Sequence, residues 1–202
     1  MKIIGVVLVM FLTVSCSSRE FTLEQYAEER VKFAKQKVKY PNNDFTIFIP
    51  ENWDWKIEGY NSDNIILGID ASSPPDKRGF IDLISVQKAE SFGNTKNLKS
   101  EFEYIIDSNK DHSTSMKVIE SGETKILKQK AYFIHTKSNT SDYGESEQIS
   151  FILVSDTYGV FYYLNAGASQ TEDLKKNMAV LIHSLKTFET KTTKYKQCTT
   201  SV

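Results

Sequence analysis

The spacing of apolar residues along this chain changes period several times, and each change marks an element. Leu23, Ala27, Val31, Ala34 and Val38 recur at helical spacing behind a Thr22-Leu23-Glu24-Gln25 capping box, with Phe21 and Tyr26 placed to close a hydrophobic staple. That pattern predicts a helix over 22–38. Turn chemistry at Tyr40-Pro41-Asn42-Asn43-Asp44 ends it, and Phe45-Thr46-Ile47-Phe48-Ile49 follows as a strand stopped by Pro50. Two more strands are predicted over 65–69 and 80–87, separated by a loop whose Pro74-Pro75 and Gly79 forbid regular pairing. In 80–87 apolar side chains occupy both parities, Phe80, Ile84 and Val86 against Ile81 and Leu83, as in a strand covered on both faces.

A second amphipathic helix is predicted over 97–110, opened by Asn97 and lined by Leu98, Phe102, Ile105 and Ile106. A meander of short strands follows over 118–120, 124–127, 131–137, 148–154 and 160–166. Its turn signals are Gly122, Gln129-Lys130, Ser141-Asp142-Tyr143-Gly144 and Asp156-Thr157-Tyr158-Gly159. Thr171 then caps a third helix striped by Leu174, Met178, Leu181, Ile182 and Leu185 and ending near Phe188. The expectation is one α+β domain over 22–188, an antiparallel sheet of six or seven strands flanked by helices in an α/β/α sandwich. A polar tail over 189–202 is expected to be disordered.

The first fifteen residues carry one charge, Lys2, ahead of an apolar run from Ile3 to Val14 broken by Gly5 and Thr13. The run is shorter than the ~20 residues that span a bilayer, so the pattern predicts a secretory signal peptide over 1–15. Thr13-Val14-Ser15-Cys16 resembles a bacterial lipobox. That resemblance implies cleavage before Cys16 and acylation of this cysteine, anchoring the chain through a short tether over 16–21. Ser17 and Ser18 resemble outer-membrane rather than inner-membrane sorting, which places the domain at the periplasm or the cell surface. Once Cys16 is acylated, Cys198 has no partner within the chain.

Charge narrows the function classes. With 25 Lys plus Arg against 26 Asp plus Glu, the chain lacks the basic excess by which proteins grip nucleic acid. Only His112, His135 and His183 are available for metal or triad chemistry, and none is paired at ligand spacing. No H-E-x-x-H, C-x-x-C, G-x-S-x-G, P-loop or dinucleotide fingerprint is present. Asp107-x-Asn109-x-Asp111 opens like a calcium loop but puts His112 where glycine is required and Val118 where the bidentate Glu belongs. No cofactor, metal or enzymatic activity is expected. His135, in the Tyr132-Phe133-Ile134 strand, is the histidine placed to be partly buried.

Aromatic residues supply the binding candidates. In Trp53-Asp54-Trp55 the first indole is expected to anchor the core after the proline turn and the second to stand exposed. In the 160–166 strand Phe161 and Tyr163 share one face, Val160, Tyr162 and Leu164 the other, and one ring such as Tyr163 is left for a groove.

The order of these pieces resembles the PsbP/DcrB-like family, many of whose bacterial members are lipoproteins. The resemblance rests on a strand ending in Pro50 before Glu51-Asn52-Trp53, a middle helix, the long meander with Tyr158-Gly159, and a final helix closing on His183-Ser184-Leu185. It covers about 45–188 and implies an antiparallel sheet between helical layers, no settled enzymatic activity and no catalytic residue to transfer. The expected function is therefore a lipid-anchored envelope protein binding a protein partner or small apolar ligand, with Trp55, Trp53, Tyr163 and His135 as candidate contacts. A hydrolase of lipid or cell-wall material, and a passive assembly spacer, are the alternatives.

Overall fold

The computed structural model describes residues 20–57, 62–112, 116–140, 144–169, 171 and 173–190. In chain order the elements are α1 (Leu23–Glu28), β1 (Lys35–Lys39), β2 (Phe45–Pro50), β3 (Asp54–Ile57), β4 (Ile65–Ser72), β5 (Leu83–Glu90) and α2 (Leu98–His112). They continue with β6 (Met116–Thr124), β7 (Ala131–Thr140), β8 (Gly144–Val154), β9 (Val160–Ser169), α3 (Leu174–Leu185) and β10 (Glu189–Thr190). Seven strands pair antiparallel in the order β3-β4-β5-β9-β8-β7-β6, and β1-β2-β10 form a separate small sheet.

Strand alternation divides the interior into two cores on opposite faces of the large sheet. Tyr162, Leu164 and Ala166 of β9 pack with Leu23 and Tyr26 of α1, Phe45 and Ile47 of β2, and Met178 and Leu181 of α3. Phe161 and Tyr163 point the other way, against Leu98, Phe102 and Ile105 of α2. The α+β architecture with a sheet between helical layers is thus as expected. The large sheet has seven strands.

The expected helix over 22–38 is corrected to a single short one. The capping box and the Phe21–Tyr26 contact form as predicted, but Glu29 is already extended and 35–39 is strand. An apolar β2, with Phe45, Ile47 and Ile49 buried, leaves its backbone in need of an edge partner. β1 supplies it, pairing Val38 with Ile47, and tertiary pairing overrides the helical period.

Smaller departures have similar causes. β6 runs unbroken through Gly122, and the turn falls instead at 125–130, where Lys128 adopts a left-handed φ of 62°. Phe80 and Ile81 belong to the loop before β5. Glu189 and Thr190 of the expected tail pair with Thr46 and Phe45; the rest of that tail, the signal peptide, Cys16 and Cys198 lie outside the described residues.

Candidate functional site

His135 sits in β7 opposite Glu120 of β6 and Ile149 of β8, and Glu147 lies two residues before Ile149 on the same face. A register shift between Val118 and Glu120 turns the Glu120 carboxylate toward the ring. α1 closes over this group. Tyr26 donates its hydroxyl to Glu147 Oε2 at 2.7 Å, and His135 Nε2 lies 3.0 Å from the same oxygen. His135 Nδ1 lies 3.3 Å from Glu120 Oε1, which also accepts the Leu23 amide. Burial, reinforced by the Glu147 carboxylate, pushes the Tyr26 hydroxyl far above its ordinary range, so it acts as a donor. His135 is fully buried and Glu147 nearly so. The arrangement clamps α1 onto the sheet.

Tyr163 is occupied on the opposite face. Its hydroxyl donates to Glu101 Oε1 at 2.6 Å, and that oxygen also accepts the Phe92 amide at 2.9 Å. Glu101 Oε2 accepts the hydroxyls of Thr95, at 2.6 Å, and Ser91. Burial opposes the charge on Glu101, but these four hydrogen bonds outweigh it and hold its carboxyl below the usual carboxylate range. The group ties the loop 91–97 and the start of α2 to β9, and the expectation of a free ring at a groove is corrected accordingly.

The open surface lies at the other end of the sheet. Trp53 leans half-buried on the main core, while Trp55, in the edge strand β3, is 40% exposed beside exposed Ile57. By spacing alone the two indoles would share a strand face. They separate because Trp53 still belongs to the turn that bonds its amide to the Pro50 carbonyl, and β3 begins only at Asp54. Asp54, Lys56, Asp70, Ser72 and Leu83 share one face by register, and with Trp55 and Ile81 they line a hollow of about 300 Å³. Ile81 and Leu83 are exposed there.

A second cleft of about 600 Å³ adjoins along the loop before β5, bounded by Asp76, Arg78, Phe80, Asp82, Ser169 and Asn177 among others. Burial, with a contribution from Asp76, pushes the Asp82 carboxyl up to about 6 against a hydrogen bond from the Ser169 amide. A raised carboxylate gives stability that is full below its unfolded value of 3.8 and lost as pH rises through about 6. Asp82→Asn is therefore expected to raise the urea-unfolding free energy near pH 8 by about 1–2 kcal/mol, allowing for solvent screening, and to change little near pH 3.5.

The structure does not assemble the four aromatic and histidine candidates into one site. Tyr163 and His135 face opposite sides of the sheet, and Trp55 stands three strands from the first and five from the second, roughly 14 and 24 Å at ~4.8 Å per strand. Among the described residues no three His, Cys, Asp or Glu side chains are placed to hold a metal ion. The sequence reasoning missed Asp82, and its expectation that Ile81 and Leu83 form a second covered face is corrected, because both are exposed. The signal for these two was their odd parity in a segment whose even residues already filled a core.

No family model matches the chain, and no curated protein does. Solved structures do. The Ran-binding protein Mog1p of Saccharomyces cerevisiae aligns over 79% of this chain and 96% of its own, at 10% identity and a TM-score of 0.54. Cyanobacterial PsbP (CyanoP) of Synechocystis sp. PCC 6803 aligns over 79% and 94%, at 10% identity and a TM-score of 0.52. LpqN of Mycobacterium tuberculosis, described as involved in cell envelope biogenesis, aligns over 83% and 96% at 12% identity and a TM-score of 0.48. At these identities what is shared is architecture: the chain has a PsbP/Mog1-like fold.

Proposed function

We propose that this chain is a non-catalytic protein of a bacterial envelope, anchored through acylated Cys16 at the outer membrane, that binds a partner polypeptide along the β3 edge. The observation that carries this is an exposed indole and an exposed isoleucine on a strand with one pairing neighbour among the described residues. The outer backbone of such a strand can accept another strand, and Trp55 and Ile57 offer the apolar contacts that favour one. The acid and base groups of the interior support the non-catalytic part, because His135, Glu147 and Glu101 are buried and engaged with one another or with neighbouring donors.

A photocrosslinking residue at position 55 of the full-length protein in intact cells is expected to capture one discrete partner. The same residue at Tyr104, exposed on α2, should not. Trp55→Ala should abolish capture from position 57 while changing stability by no more than about 1 kcal/mol. Equal capture from 55 and 104, or none from 55 in folded, membrane-bound protein, would remove the proposal.

The raised carboxyl of Asp82 in an open cleft favours a second reading, a hydrolase of lipid or cell-wall material with Asp82 as proton donor. Turnover of an ester or glycan substrate that disappears in folded Asp82→Asn would establish it. Absence of turnover across both substrate classes would dismiss it.

A further inference from the structure

We propose that the outer edge of β6 is the surface this protein turns toward the bilayer, so that the β3 edge is held on the far side for its partner. The inference rests on the acylation of Cys16, and the occupant it commits to is a lipid surface. Three observations carry it. The chain enters the described structure at Glu20, whose carboxylate accepts a hydrogen bond from Lys117 Nζ of β6 at 2.7 Å. Three residues later the Leu23 amide bonds to Glu120, also of β6. The start of the domain is therefore pinned to one edge strand.

The length of chain ahead of that point sets the reach. Four residue steps lead from Cys16 to Glu20, which at full extension span at most about 14 Å. β6 and β3 are opposite edges of the large sheet, six strand spacings or about 29 Å apart. With the β3 edge pointed at the bilayer, Glu20 would stand about 29 Å from it, beyond the reach of the tether, whereas the β6 edge lies within that reach.

The point where the tether joins the domain is fixed within it. α1 follows the tether directly and is held to the sheet by Tyr26 and Glu147, and to α3 by Lys186 Nζ donating to the Ala27 carbonyl. Just beyond α1, Glu29 is bonded to Lys175 of α3. What β6 would present is suited to an interface: Met116 and Val118 are exposed and share one face of the strand, while Lys117 between them points to the other and holds Glu20.

Native fluorescence tests this, because the chain's two tryptophans both lie beside β3. Lipidated full-length protein is reconstituted in phosphatidylethanolamine–phosphatidylglycerol vesicles whose acyl chains are brominated. Emission from Trp53 and Trp55 should be unchanged, whereas Val118→Trp in a Trp53→Phe, Trp55→Phe background should lose about half its intensity. Quenching of the native pair, or equal quenching of both proteins, would overturn the proposal. Should the triple variant not fold, amide exchange of the unmodified protein serves instead: slower exchange in 116–124 on vesicles with 54–57 unchanged is the supporting result, and the reverse overturns it. Slowed exchange in 116–124 without lipid, together with a dimer in sedimentation, would assign the edge to a second copy and also overturn it.

Flotation of the same vesicles reports acylation separately. If the protein does not float, the acylation reading fails, and a polyhistidine segment placed ahead of residue 16 on nickel-chelating lipid still tests which edge faces the bilayer.

Discussion

Glu101→Ala is expected to lower the unfolding free energy by about 3–4 kcal/mol, because it strands the buried Tyr163 hydroxyl with no acceptor and releases the half-buried Phe92 amide, Ser91 and Thr95. Against a typical domain stability of about 5–15 kcal/mol that is a large fraction. Glu101→Gln retains one carbonyl oxygen and an amide that rotated hydroxyls can accept from, so its cost should be about 1–2 kcal/mol. The pH dependence separates a charge effect from lost packing. The Glu101 carboxyl is held below its ordinary value of 4.5, so its stabilisation is full above that value and lost as pH falls through the lower native one. Glu101→Gln should remove that acid-side loss. His183 acts in a different window: burial holds its ring below 6.5 against a bond to the Glu29 carbonyl, so its contribution is full above 6.5 and fades as pH falls through its native value. Urea titrations of wild type and both variants from neutral to strongly acid pH distinguish the two groups. Equal stability of Glu101→Ala and wild type would show that the loop 91–97 is held by other contacts.

The elements legible in the sequence were those whose pattern is local. α2 and α3 follow from stripes such as Leu174, Met178, Leu181, Ile182 and Leu185, every one of which is buried. β7, β8 and β9 follow from alternation that turn residues punctuate, and the division of β9 into a Phe161–Tyr163 face and a Tyr162–Leu164 face is what the structure shows. The elements that were not legible depend on partners far along the chain. Lys35–Lys39 is strand because β2 needs a neighbour, and Glu189–Thr190 because the end of α3 returns the chain to Phe45 and Thr46. The candidate site divides in the same way. The exposure of Trp55 agrees with expectation, but strand alternation does not predict it, because residues 53 and 55 would share a face and differ only since Trp53 belongs to the turn before β3. The engagement of Tyr163 was not legible, because nothing near it in sequence announces Glu101, 62 residues earlier. For His135 the local pattern gave partial burial, while its two carboxylate neighbours come from separate strands whose register, including the shift before Glu120, is a property of the whole sheet.

Glu147→Ala is expected to cost about 3–5 kcal/mol, since it leaves the Tyr26 hydroxyl and one ring nitrogen of His135 facing each other in the interior without the carboxylate between them. Tyr26→Phe keeps the ring that packs edge-on against His135 at 5.9 Å and removes one donor, for about 1–1.5 kcal/mol. If the hydroxyl acts through Glu147, the double variant should cost less than the sum of the two, with a coupling of about 1 kcal/mol or more in a double-mutant cycle. The location of the damage matters as much as its size. The clamp joins α1 to β7 and β8, so amide exchange should rise first at Leu23 and Tyr26, while β3, at the other edge of the sheet, stays protected as in wild type. A folded Tyr26→Phe protein should therefore still crosslink its partner from position 55. On vesicles the β6 edge should also keep its protection in Tyr26→Phe, because Glu20 and Leu23 remain bonded to β6. Unchanged exchange at α1 in both variants would mean that the other contacts of this segment, with Lys117, Glu120, Lys175 and Lys186, hold the helix, and that the buried carboxylate serves only the interior packing of β7 and β8.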